Sequence, residues 1–374
     1  MHIALNAWFW NRPDTGSGQY IRNLTEGIIS VAPQTRITLI APQGWMIDAP
    51  PAVSVRYVPL RGRGQWAKLD FEQRGFPRAA GEAGADLAHV PYWAVPLASP
   101  VPVVVTIHDL IPLLLPAYRG SILARLYTAL SAASARGAAA VITDSEASRQ
   151  DVLRHLGLPP ERVYALPLAA GHEYSPHPAG PADEAVRRKY GLPADYVLYL
   201  GGYDIRKNIE TLLCAFTYVR EGTDIPLVLG GRLPERITPR FADVRTLIDK
   251  YQLGGNVQLI GWVDEADKPA LYRMASCFVF PSRYEGFGLP VLEAMACGTP
   301  VVAVNTSSLP EVVGGAGFLV EPDDARGMAG AVLAVLVQPE VAGDLRQKGL
   351  ARAAGFSWER TARQAVAVYE RAMS

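Results

Sequence analysis

Residues 277–300 read CFVFPSRYEGFGLPVLEAMACGTP, a short apolar run followed by a tight turn and a helical segment. The run at 277–280 is apolar throughout, which is typical of a parallel strand buried on both faces. Pro290 suits the first turn of a helix, and Gly298 suits its C-terminal stop. N–H groups near Gly288 and Leu289 would then point at an anion, because the first N–H groups of a helix lack partners within it. We therefore predict a strand, an anion-binding turn and a helix.

The same rhythm of a short apolar run, a turn and a longer helical segment extends along the whole chain. Predicted strands of the first half are 3–7, 36–41, 53–58, 87–90, 101–107, 139–143 and 163–166. Those of the second half are 196–200, 226–229, 257–260, 277–280, 300–304 and 317–320. Short apolar strands that alternate with helices indicate an α/β fold with doubly wound parallel sheets.

The rhythm breaks once, at residues 169–195, and this break predicts the domain organisation. The segment contains glycines and four prolines, which exclude a continuous helix or a central strand: Pro176, Pro178, Pro181 and Pro193. We predict an N-terminal Rossmann-like domain over 1–170, a linker over 171–195 with a short helix at 182–190, and a C-terminal Rossmann-like domain over 196–356. A last helix is expected over 357–373, with Ser357 as its N-cap.

Composition excludes several classes of protein. The 374 residues contain 36 Lys and Arg against 36 Asp and Glu, so the formal net charge is zero. This balance argues against nucleic acid as a partner and against a polybasic membrane clamp. The three cysteines show no CxxC spacing and are expected to be buried thiols in a reducing compartment. No apolar stretch has the length of a membrane span, and no positive segment opens a signal peptide, so a cytoplasmic location is expected.

Residues 15–20, Thr-Gly-Ser-Gly-Gln-Tyr, follow the first predicted strand and precede a helix expected over 20–30. Gly16 and Gly18 would allow the backbone to approach a ligand closely. The dinucleotide fingerprint would need a third glycine at Ile21, so it is absent. A glycine-rich turn without a ligand is an equal alternative at this point.

Two further groups follow strand ends. His108 and Asp109 end the apolar run 101–107, where an imidazole beside a carboxylate can bind a sugar hydroxyl or transfer a proton. Arg206 and Lys207 follow a Gly-Gly turn after the first strand of the second half. Two cations near a helix start oppose the helix dipole, so a bound diphosphate is favoured over a solvated pair.

Glu285 lies in the turn after strand 277–280, and Glu293 lies about one turn into the helix that follows. Carboxylates accept hydrogen bonds from vicinal hydroxyls. The pair therefore suits a sugar at one carboxylate and a ribose at the other.

Residues 281–300 resemble the E-x7-E signature of retaining glycosyltransferases of family four, which have the GT-B fold of two facing Rossmann-like domains with a deep cleft. Residues 206–208, Arg-Lys-Asn, resemble the family's diphosphate-binding segment. Residues 15–20 resemble its glycine-rich loop, residues 106–110 its strand-end His-Asp, and residues 356–358 the start of a last helix that returns to the N-terminal domain.

The resemblance implies a role for each matching residue. Arg206 and Lys207 would neutralise the donor's diphosphate, Glu293 would hold the nucleotide ribose, and His108 would contact the donor sugar. Glu285 would hold the transferred sugar together with the turn that comes after it. The implied donor-binding set is Gly16, Gly18, Arg206, Lys207, Glu285, Gly286, Phe287, Gly288, Leu289 and Glu293. No cofactor and no essential metal are implied.

The resemblance also implies transfer of a hexose with retention, through same-face attack in which the leaving phosphate takes the acceptor's proton. The sequences of segments 106–110 and 15–20 are most similar to those of bacterial mannosyl- and rhamnosyltransferases of polysaccharide assembly. GDP-mannose is the favoured donor and a UDP-hexose is the alternative. Base contacts are expected near residues 231–232 and 261–263.

The acceptor, a saccharide or a lipid-linked saccharide, is expected on the N-terminal domain. Aromatic residues in or near its loops can stack on sugars or simply pack: Trp8, Phe9, Trp10, Trp66, Tyr92 and Trp93. Residues 110–118 and the segment with Arg119, Arg125 and Arg136 suggest weak contact with the inner face of a membrane.

Three alternatives remain open from the residues. A nucleotide-sugar epimerase on the same fold would bind the donor without an acceptor, and a silent sugar-nucleotide-binding protein would lack catalysis. The α/β rhythm alone also fits an NAD-dependent dehydrogenase, against which the missing third glycine counts. The sequence predicts no oligomeric state.

Overall fold

The computed structural model describes residues 1–177 and 180–374, so Pro178 and Ala179 of the predicted linker lie outside the described residues. The chain forms two compact units. Unit 1 contains Met1–Leu168 and Ser357–Ser374, and unit 2 contains Ala169–Phe356.

Unit 1 is built on a parallel sheet that has seven strands in the described residues, in the order β3-β2-β1-β4-β5-β6-β7. Buried Val, Ile and Leu side chains fill its central strands, as expected for a sheet covered on both faces. The strands are β1 (His2–Asn6), β2 (Arg36–Pro42), β3 (Val53–Val58), β4 (Leu87–Val90), β5 (Val103–Thr106), β6 (Ala140–Thr143) and β7 (Val163–Ala165).

The helices of unit 1 include one irregular segment, in which α2 and α3 are joined by the π-helical turn Phe71–Gly75. The helices are α1 (Gly16–Val31), α2 (Gly64–Asp70), α3 (Phe76–Glu82), α4 (Ile111–Leu114), α5 (Ile122–Ala135), α6 (Glu146–Leu156) and, at the end of the chain, α15 (Trp358–Met373).

Helix α15 packs on α1, where Gly27 makes close approach possible. A Cβ atom at Gly27 would lie 2.9 Å from both the Trp358 carbonyl oxygen and the Ala362 Cβ. The Thr361 hydroxyl donates to the Pro167 carbonyl at 2.6 Å, and the Ser357 side chain accepts from the Arg360 N–H as N-cap. These contacts make the last helix part of unit 1.

Unit 2 repeats this architecture with a parallel sheet of six strands in the described part, in the order β10-β9-β8-β11-β12-β13. The strands are β8 (Val197–Leu200), β9 (Leu227–Gly230), β10 (Val257–Gly261), β11 (Cys277–Phe280), β12 (Val301–Val304) and β13 (Phe318–Val320). The helices are α7 (Pro181–Tyr190), α8 (Ile209–Gly222), α9 (Val244–Lys250), α10 (Lys268–Met274), α11 (Leu289–Ala296), α12 (Leu309–Val313), α13 (Ala325–Val337) and α14 (Pro339–Ala353).

Helix α7 lies in the segment that the sequence assigns to the linker, yet it packs within unit 2. Buried Asp183 accepts from Arg273 of α10 at 2.5 and 3.2 Å. This guanidinium holds the pKa of Asp183 below its usual range, although burial opposes the shift. Residues 180–190 of the predicted linker therefore form part of unit 2.

The predicted strands are confirmed, with ends that differ by at most two residues. The predicted helix at 20–30 is wrong at its start, because α1 begins at Gly16 with Thr15 as N-cap. Pro290 in the first turn of α11 and Gly298 just beyond that helix, at φ +76°, lie where the sequence predicts them.

Among the described residues, no single helix is both long and apolar enough to span a membrane. Ala325–Val337 and Pro339–Met373 meet the criteria of length and composition only as a pair bent by 100°.

Candidate functional site

The centre of the site in unit 2 is Glu285, on which two cations converge. Arg206 Nη1 and Lys207 Nζ each lie 2.6 Å from Glu285 Oε1. The same guanidinium donates to the Tyr284 carbonyl at 2.8 Å, and its Nε lies 3.5 Å from Asp204. The sequence separates the predicted cations from the predicted carboxylate by about 80 positions, and the sheet brings them into one cluster.

Two loops at adjacent strand ends build this cluster. Arg206 and Lys207 lie in a 3-10 turn, Ile205–Lys207, between β8 and α8, and Glu285 follows β11. Strands β8 and β11 are paired in the sheet, and the Arg283 N–H donates to the Arg206 carbonyl at 2.8 Å. Carboxyl ends of neighbouring parallel strands share one edge, where open α/β sheets bind ligands.

Asn208 and Asp323 hold the cationic loop in place. Asn208 has a left-handed backbone, at φ +54°, and its side-chain amide donates to Asp323 Oδ1 at 3.2 Å. Arg283 donates to the same carboxylate oxygen at 2.6 Å. Asp323 therefore ties the loop after β8 to the loop after β11.

The charges of the cluster depend on burial and on one another. Burial opposes ionisation of Glu285, but Lys207 and Arg206 outweigh it and hold the pKa of Glu285 below its ordinary value. Burial lowers the pKa of the Lys207 ammonium, which Glu285 in turn favours in its charged form. Lys207 also lies 4.8 Å from the centre of the Phe280 ring. An ionised carboxylate thus meets two close cations, and a second carboxylate, Asp204, lies beside Arg206.

The turn Gly286–Leu289 is held from the loop after β12. Ser308 donates to the carbonyls of Glu285 and Phe287 at 2.9 and 2.7 Å, and the Glu285 N–H donates to Ser307 Oγ at 2.9 Å. Gly288 has φ +111°, and a Cβ there would lie 2.8 Å from Leu309 Cδ2. The turn therefore requires glycine, and it places the first residue of α11, Leu289, four positions after Glu285.

Glu293 has different surroundings from Glu285. It lies buried on α11, where the Tyr272 hydroxyl donates to Oε2 at 2.9 Å. Burial raises the pKa of Glu293 to about 7, against the opposing influence of Lys268. Glu285 thus forms ion pairs with Arg206 and Lys207, whereas Glu293 accepts a hydrogen bond from Tyr272.

In unit 1, His108 pairs with a carboxylate other than the one the sequence suggests. Its Nδ1 lies 2.7 Å from Asp144 Oδ2, at the end of β6, and its Nε2 lies 3.2 Å from the Pro91 carbonyl. Asp109 instead accepts from the Ile111 N–H at 2.9 Å. Burial lowers the pKa of His108, but Asp144 outweighs it and raises that pKa above its ordinary value. Both ring nitrogens face acceptors, an arrangement that favours the protonated form of the imidazole.

The expectation of a glycine-rich loop over 15–20 is wrong, because Gly16 and Gly18 lie in the first turn of α1. A Cβ at Gly18 would lie 1.9 Å from the Arg12 carbonyl oxygen, whereas nothing lies within 4 Å of one at Gly16. Packing against the segment after β1 therefore accounts for Gly18. Gly16 has open space where a ligand can approach.

The segments in which base contacts are expected come together in unit 2. The guanidinium of Arg232, after β9, lies 4.9 Å from the centre of the Trp262 ring, after β10. Strands β9 and β10 are paired, so these two loops share one edge of the sheet.

Sequence reasoning missed Asp144, Tyr272, Ser307, Ser308 and Asp323. Asp144 carried a recognisable signal, since it directly follows an apolar strand, and so did the polar run 305–308 after β12. Tyr272 lies within α10 and Asp323 in a turn after β13, where neither position predicts a partner.

Comparison with known families and structures matches both units. The family profile Glycosyltransferase Family 4 matches residues 15–170, and the profile Glycosyl transferases group 1 matches residues 183–352. O-antigen chain mannosyltransferase B of Escherichia coli is 35% identical over 271 residues, which cover 71% of this chain and 70% of that protein.

A second relative and a solved structure agree with this match. The serotype-specific mannosyltransferase WbdA of Escherichia coli is 32% identical over 71% of this chain, which spans only 33% of that longer protein. The structure of sucrose-phosphate synthase from Thermosynechococcus elongatus has a TM-score of 0.77 at 25% identity, over 99% of this chain and 98% of that one. Two parallel α/β units with these matches confirm the predicted GT-B fold and the predicted enzyme class, a hexosyltransferase. The chain belongs to the glycosyltransferases of family 4.

Proposed function

We propose that this enzyme transfers mannose from GDP-mannose, with retention and without an essential metal, to a saccharide or a lipid-linked saccharide. The observation that carries the proposal is the convergence of Arg206 and Lys207 on Glu285, four positions before the first residue of α11. Mannosyltransferases among the similar proteins support mannose as the transferred sugar.

The charge arrangement suits cleavage of a sugar–diphosphate bond. As this bond lengthens, the sugar becomes cationic and negative charge grows on the leaving diphosphate. Two cations held in place by neighbouring loops stabilise that charge where it develops. Glu285 keeps both cations oriented and can accept hydrogen bonds from the sugar, while first-turn N–H groups of α11 can bind phosphate oxygens.

His108 is proposed to donate a hydrogen bond to the donor sugar. Its Nδ1 stays paired with Asp144 at 2.7 Å, and its Nε2–H exchanges the longer bond to the Pro91 carbonyl, at 3.2 Å, for one to a sugar oxygen. The acceptor's proton then passes to the leaving phosphate in a same-face attack. The acceptor oxygen forms the new bond to C1 of the sugar as the old C1–O bond to the diphosphate breaks.

A panel of donors tests the nucleotide and the sugar. Thermal unfolding and donor hydrolysis are measured with GDP-mannose, UDP-glucose, UDP-GlcNAc, GDP and UDP. A ligand at 100 times its Kd adds about 2.7 kcal/mol to the free energy of unfolding. If only GDP-mannose and GDP stabilise the protein, the proposed donor is supported. If only the UDP compounds do, the donor is a UDP-hexose and the proposal of GDP-mannose is wrong. No stabilisation by any nucleotide refutes nucleotide-sugar binding.

The same panel separates transfer from epimerisation and from silent binding. An epimerase would convert UDP-GlcNAc with no acceptor present, whereas a transferase releases GDP faster when an acceptor is added. Unchanged turnover after dialysis against EDTA is the result expected for a metal-independent reaction, and loss restored by Mg²⁺ would contradict that part of the proposal.

Contact with a membrane surface belongs to the same proposal and rests on the first half of α5. Ile122, Leu123 and Leu126 are 75, 56 and 61% exposed. Residues 110–143 contain three arginines and no Asp or Glu, in a chain whose net charge is zero. Exposed aliphatic side chains beside arginines suit an anionic lipid surface.

Flotation with vesicles of phosphatidylglycerol and phosphatidylcholine tests this contact. We expect Ile122→Ser/Leu126→Ser to reduce binding at least about tenfold, because each buried aliphatic side chain contributes more than about 1 kcal/mol. Val337→Ser is the matched control, since Val337 is 54% exposed in unit 2. Equal flotation of all three proteins, or none, would refute the contact.

A further inference from the structure

A second group of polar and aromatic side chains lies in unit 1, apart from His108. The ammonium of Lys68, on α2, lies 5.4, 5.2 and 5.5 Å from the ring centres of Phe9, Tyr92 and Tyr127. The same Nζ lies 3.3 Å from Glu72 Oε1. One cation thus faces three rings and one carboxylate.

Glu72 is an unusual carboxylate for a helical segment. Its side chain is fully buried, whereas that of Lys68 is 27% exposed, so the pair reaches solvent through the lysine. The Tyr127 hydroxyl donates to Glu72 Oε2 at 3.0 Å. Burial raises the pKa of Glu72, with Lys68 and Tyr127 opposing the shift. Glu72 lies in the π-helical turn Phe71–Gly75, and such turns are frequent at functional sites.

The group lies where the sheet of unit 1 would bind a ligand. Asn6 ends β1, Phe9 follows it, and Tyr92 follows β4, which is paired with β1. Asn6 is fully buried, and its Oδ1 accepts from the Tyr92 hydroxyl at 3.3 Å. Within residues 1–177 and 180–374, the Asn6 side-chain N–H₂ has no hydrogen-bond partner. An unpaired buried amide is costly in a protein that has no use for it.

Stability does not account for this arrangement. The free energy needed to remove a carboxylate and an ammonium from water is about as large as the free energy of their attraction. A buried ion pair therefore contributes little to the stability of the fold. A perturbed carboxylate at the ligand-binding edge of a sheet is instead typical of a functional site.

We infer that Lys68 and the partly exposed rings of Phe9 and Tyr127 bind a saccharide unit of the acceptor, with buried Glu72, Asn6 and Tyr92 holding them in position; we call this group the Lys68 site. The inference rests on the proposed function. Lys68 donates to hydroxyl oxygens and the two rings contact the C–H face of the sugar, while Glu72 orients the ammonium of Lys68. The ion pair is neutral as a whole, which suits an uncharged, hydroxyl-rich ligand better than a phosphate.

Binding of methyl α-mannobioside to the full-length enzyme tests the Lys68 site directly. Its dissociation constant is measured by titration calorimetry, without donor, for the wild type, Lys68→Met and Glu72→Gln. We expect at least about tenfold weaker binding in both variants, the usual loss for a hydrogen bond to a charged group. Lys68→Met removes the charge and keeps a side chain of similar shape, and thermal unfolding of both variants shows whether each one folds.

Lys250→Met is the matched control. Lys250 Nζ lies 2.7 Å from Glu210 and 5.0 Å from the centre of the Tyr251 ring, so it has the same kinds of partner in an exposed setting of unit 2. This variant should bind the mannobioside as the wild type does.

Kinetics separate failure of the Lys68 site from failure of the proposed function. In Lys68→Met we expect KM for the mannobioside to rise at least about tenfold, with GDP-mannose hydrolysis unchanged. Wild-type mannobioside binding in Lys68→Met, or no binding by the wild type itself, overturns the inference. Absence of any nucleotide-sugar hydrolysis in the wild type overturns the proposed function, while Lys68-dependent mannobioside binding would still support the site.

Discussion

The two units of this glycosyltransferase share a sheet topology and differ in the loops at the ends of their strands. With the strands of each unit counted from its own first strand, both sheets begin in the order 3-2-1-4-5-6. In unit 2, the loops after β8 and β11 bring two cations to one carboxylate. In unit 1, the loops after β1, β4, β5 and β6 bring aromatic rings and a His–Asp pair to the corresponding edge.

This difference shows that the sheet supplies a position and the loops supply the chemistry. Parallel strands place their carboxyl ends at one edge whatever residues come after them. The cations in unit 2 suit a charged diphosphate, and the aromatic residues in unit 1 suit a neutral sugar. Substitutions in unit 2 test the binding of the diphosphate, and substitutions in unit 1 test the binding of the sugar.

Removing a charge from the unit 2 cluster is expected to have the largest effect. Lys207→Met or Glu285→Gln should lower kcat about 100- to 1,000-fold, the usual cost of removing one transition-state contact. Steady-state GDP release with saturating acceptor measures this loss. Lys250→Met and Glu210→Gln, an exposed ion pair of the same unit, are the controls, and near wild-type turnover in Lys207→Met would disprove the diphosphate assignment.

Gly18→Ala should mainly reduce stability. Its Cβ would lie 1.9 Å from the Arg12 carbonyl, so we expect a loss of about 3 kcal/mol in the free energy of unfolding. Gly16→Ala should instead raise stability by up to about 1 kcal/mol, because alanine is the better helix former. Urea unfolding measures both, and equal stabilities would contradict a packing role for Gly18. A drop in activity of the stable Gly16→Ala variant would support donor binding at the start of α1.

Glu293 makes unit 2 less stable as the pH rises. The pKa of Glu293 is about 7 when folded, above its ordinary value of 4.5, so the folded protein binds the proton more tightly. The resulting stability is complete below pH 4.5 and is lost as the pH rises to about 7. Glu293→Gln should therefore match the wild type at about pH 4.5 and exceed it by roughly 2 kcal/mol at about pH 8. Thermal unfolding at both pH values measures this, and a pH-independent difference would argue against the raised pKa.

Asp144→Asn should lower the rate only about tenfold, which corresponds to about 1.4 kcal/mol in activation free energy. Its clearer effect should be on the pH profile of activity. Asp144 raises the pKa of His108, so its removal lowers that pKa. If protonated His108 is the active form, the alkaline limb of kcat/KM moves to lower pH. Asp109→Asn is the comparison, since Asp109 accepts from the Ile111 N–H and has the smaller influence on His108. A larger shift in Asp109→Asn would contradict the pairing seen in the structure.

The fold was predictable because its signals are local. Apolar runs such as 277–280 and 301–304 are short, β-branched or aromatic, and bounded by turn residues. The start of α1 was not predicted, because glycines at 16 and 18 disfavour a helix by propensity alone. Close packing of Gly18 on the Arg12 carbonyl outweighs that propensity.

The candidate site was predictable in its residue types and less so in its pairing. The sequence identified Glu285, Arg206 and Lys207 as separate groups: two cations that bind a diphosphate and a carboxylate that binds a sugar. It did not predict that the three form one ion-paired cluster. His108 was assigned to its sequence neighbour Asp109, whereas its partner Asp144 lies 36 positions away. Hydrogen-bond partners depend on which strands are adjacent, and local sequence carries no information on that.

By itself, the sequence determined two α/β halves, the positions of the strands, the turn before α11 and the family. These predictions depend on patterns that lie within about 20 consecutive residues, such as 285–300, and can therefore be recognised without knowing which strands are adjacent. Only the tertiary structure decided that Lys207 meets Glu285, that Asp144 pairs with His108, and that Lys68 faces three rings beside Glu72. Those contacts arise because parallel strands distant in sequence end at one edge, where burial and nearby charge set what each side chain can do.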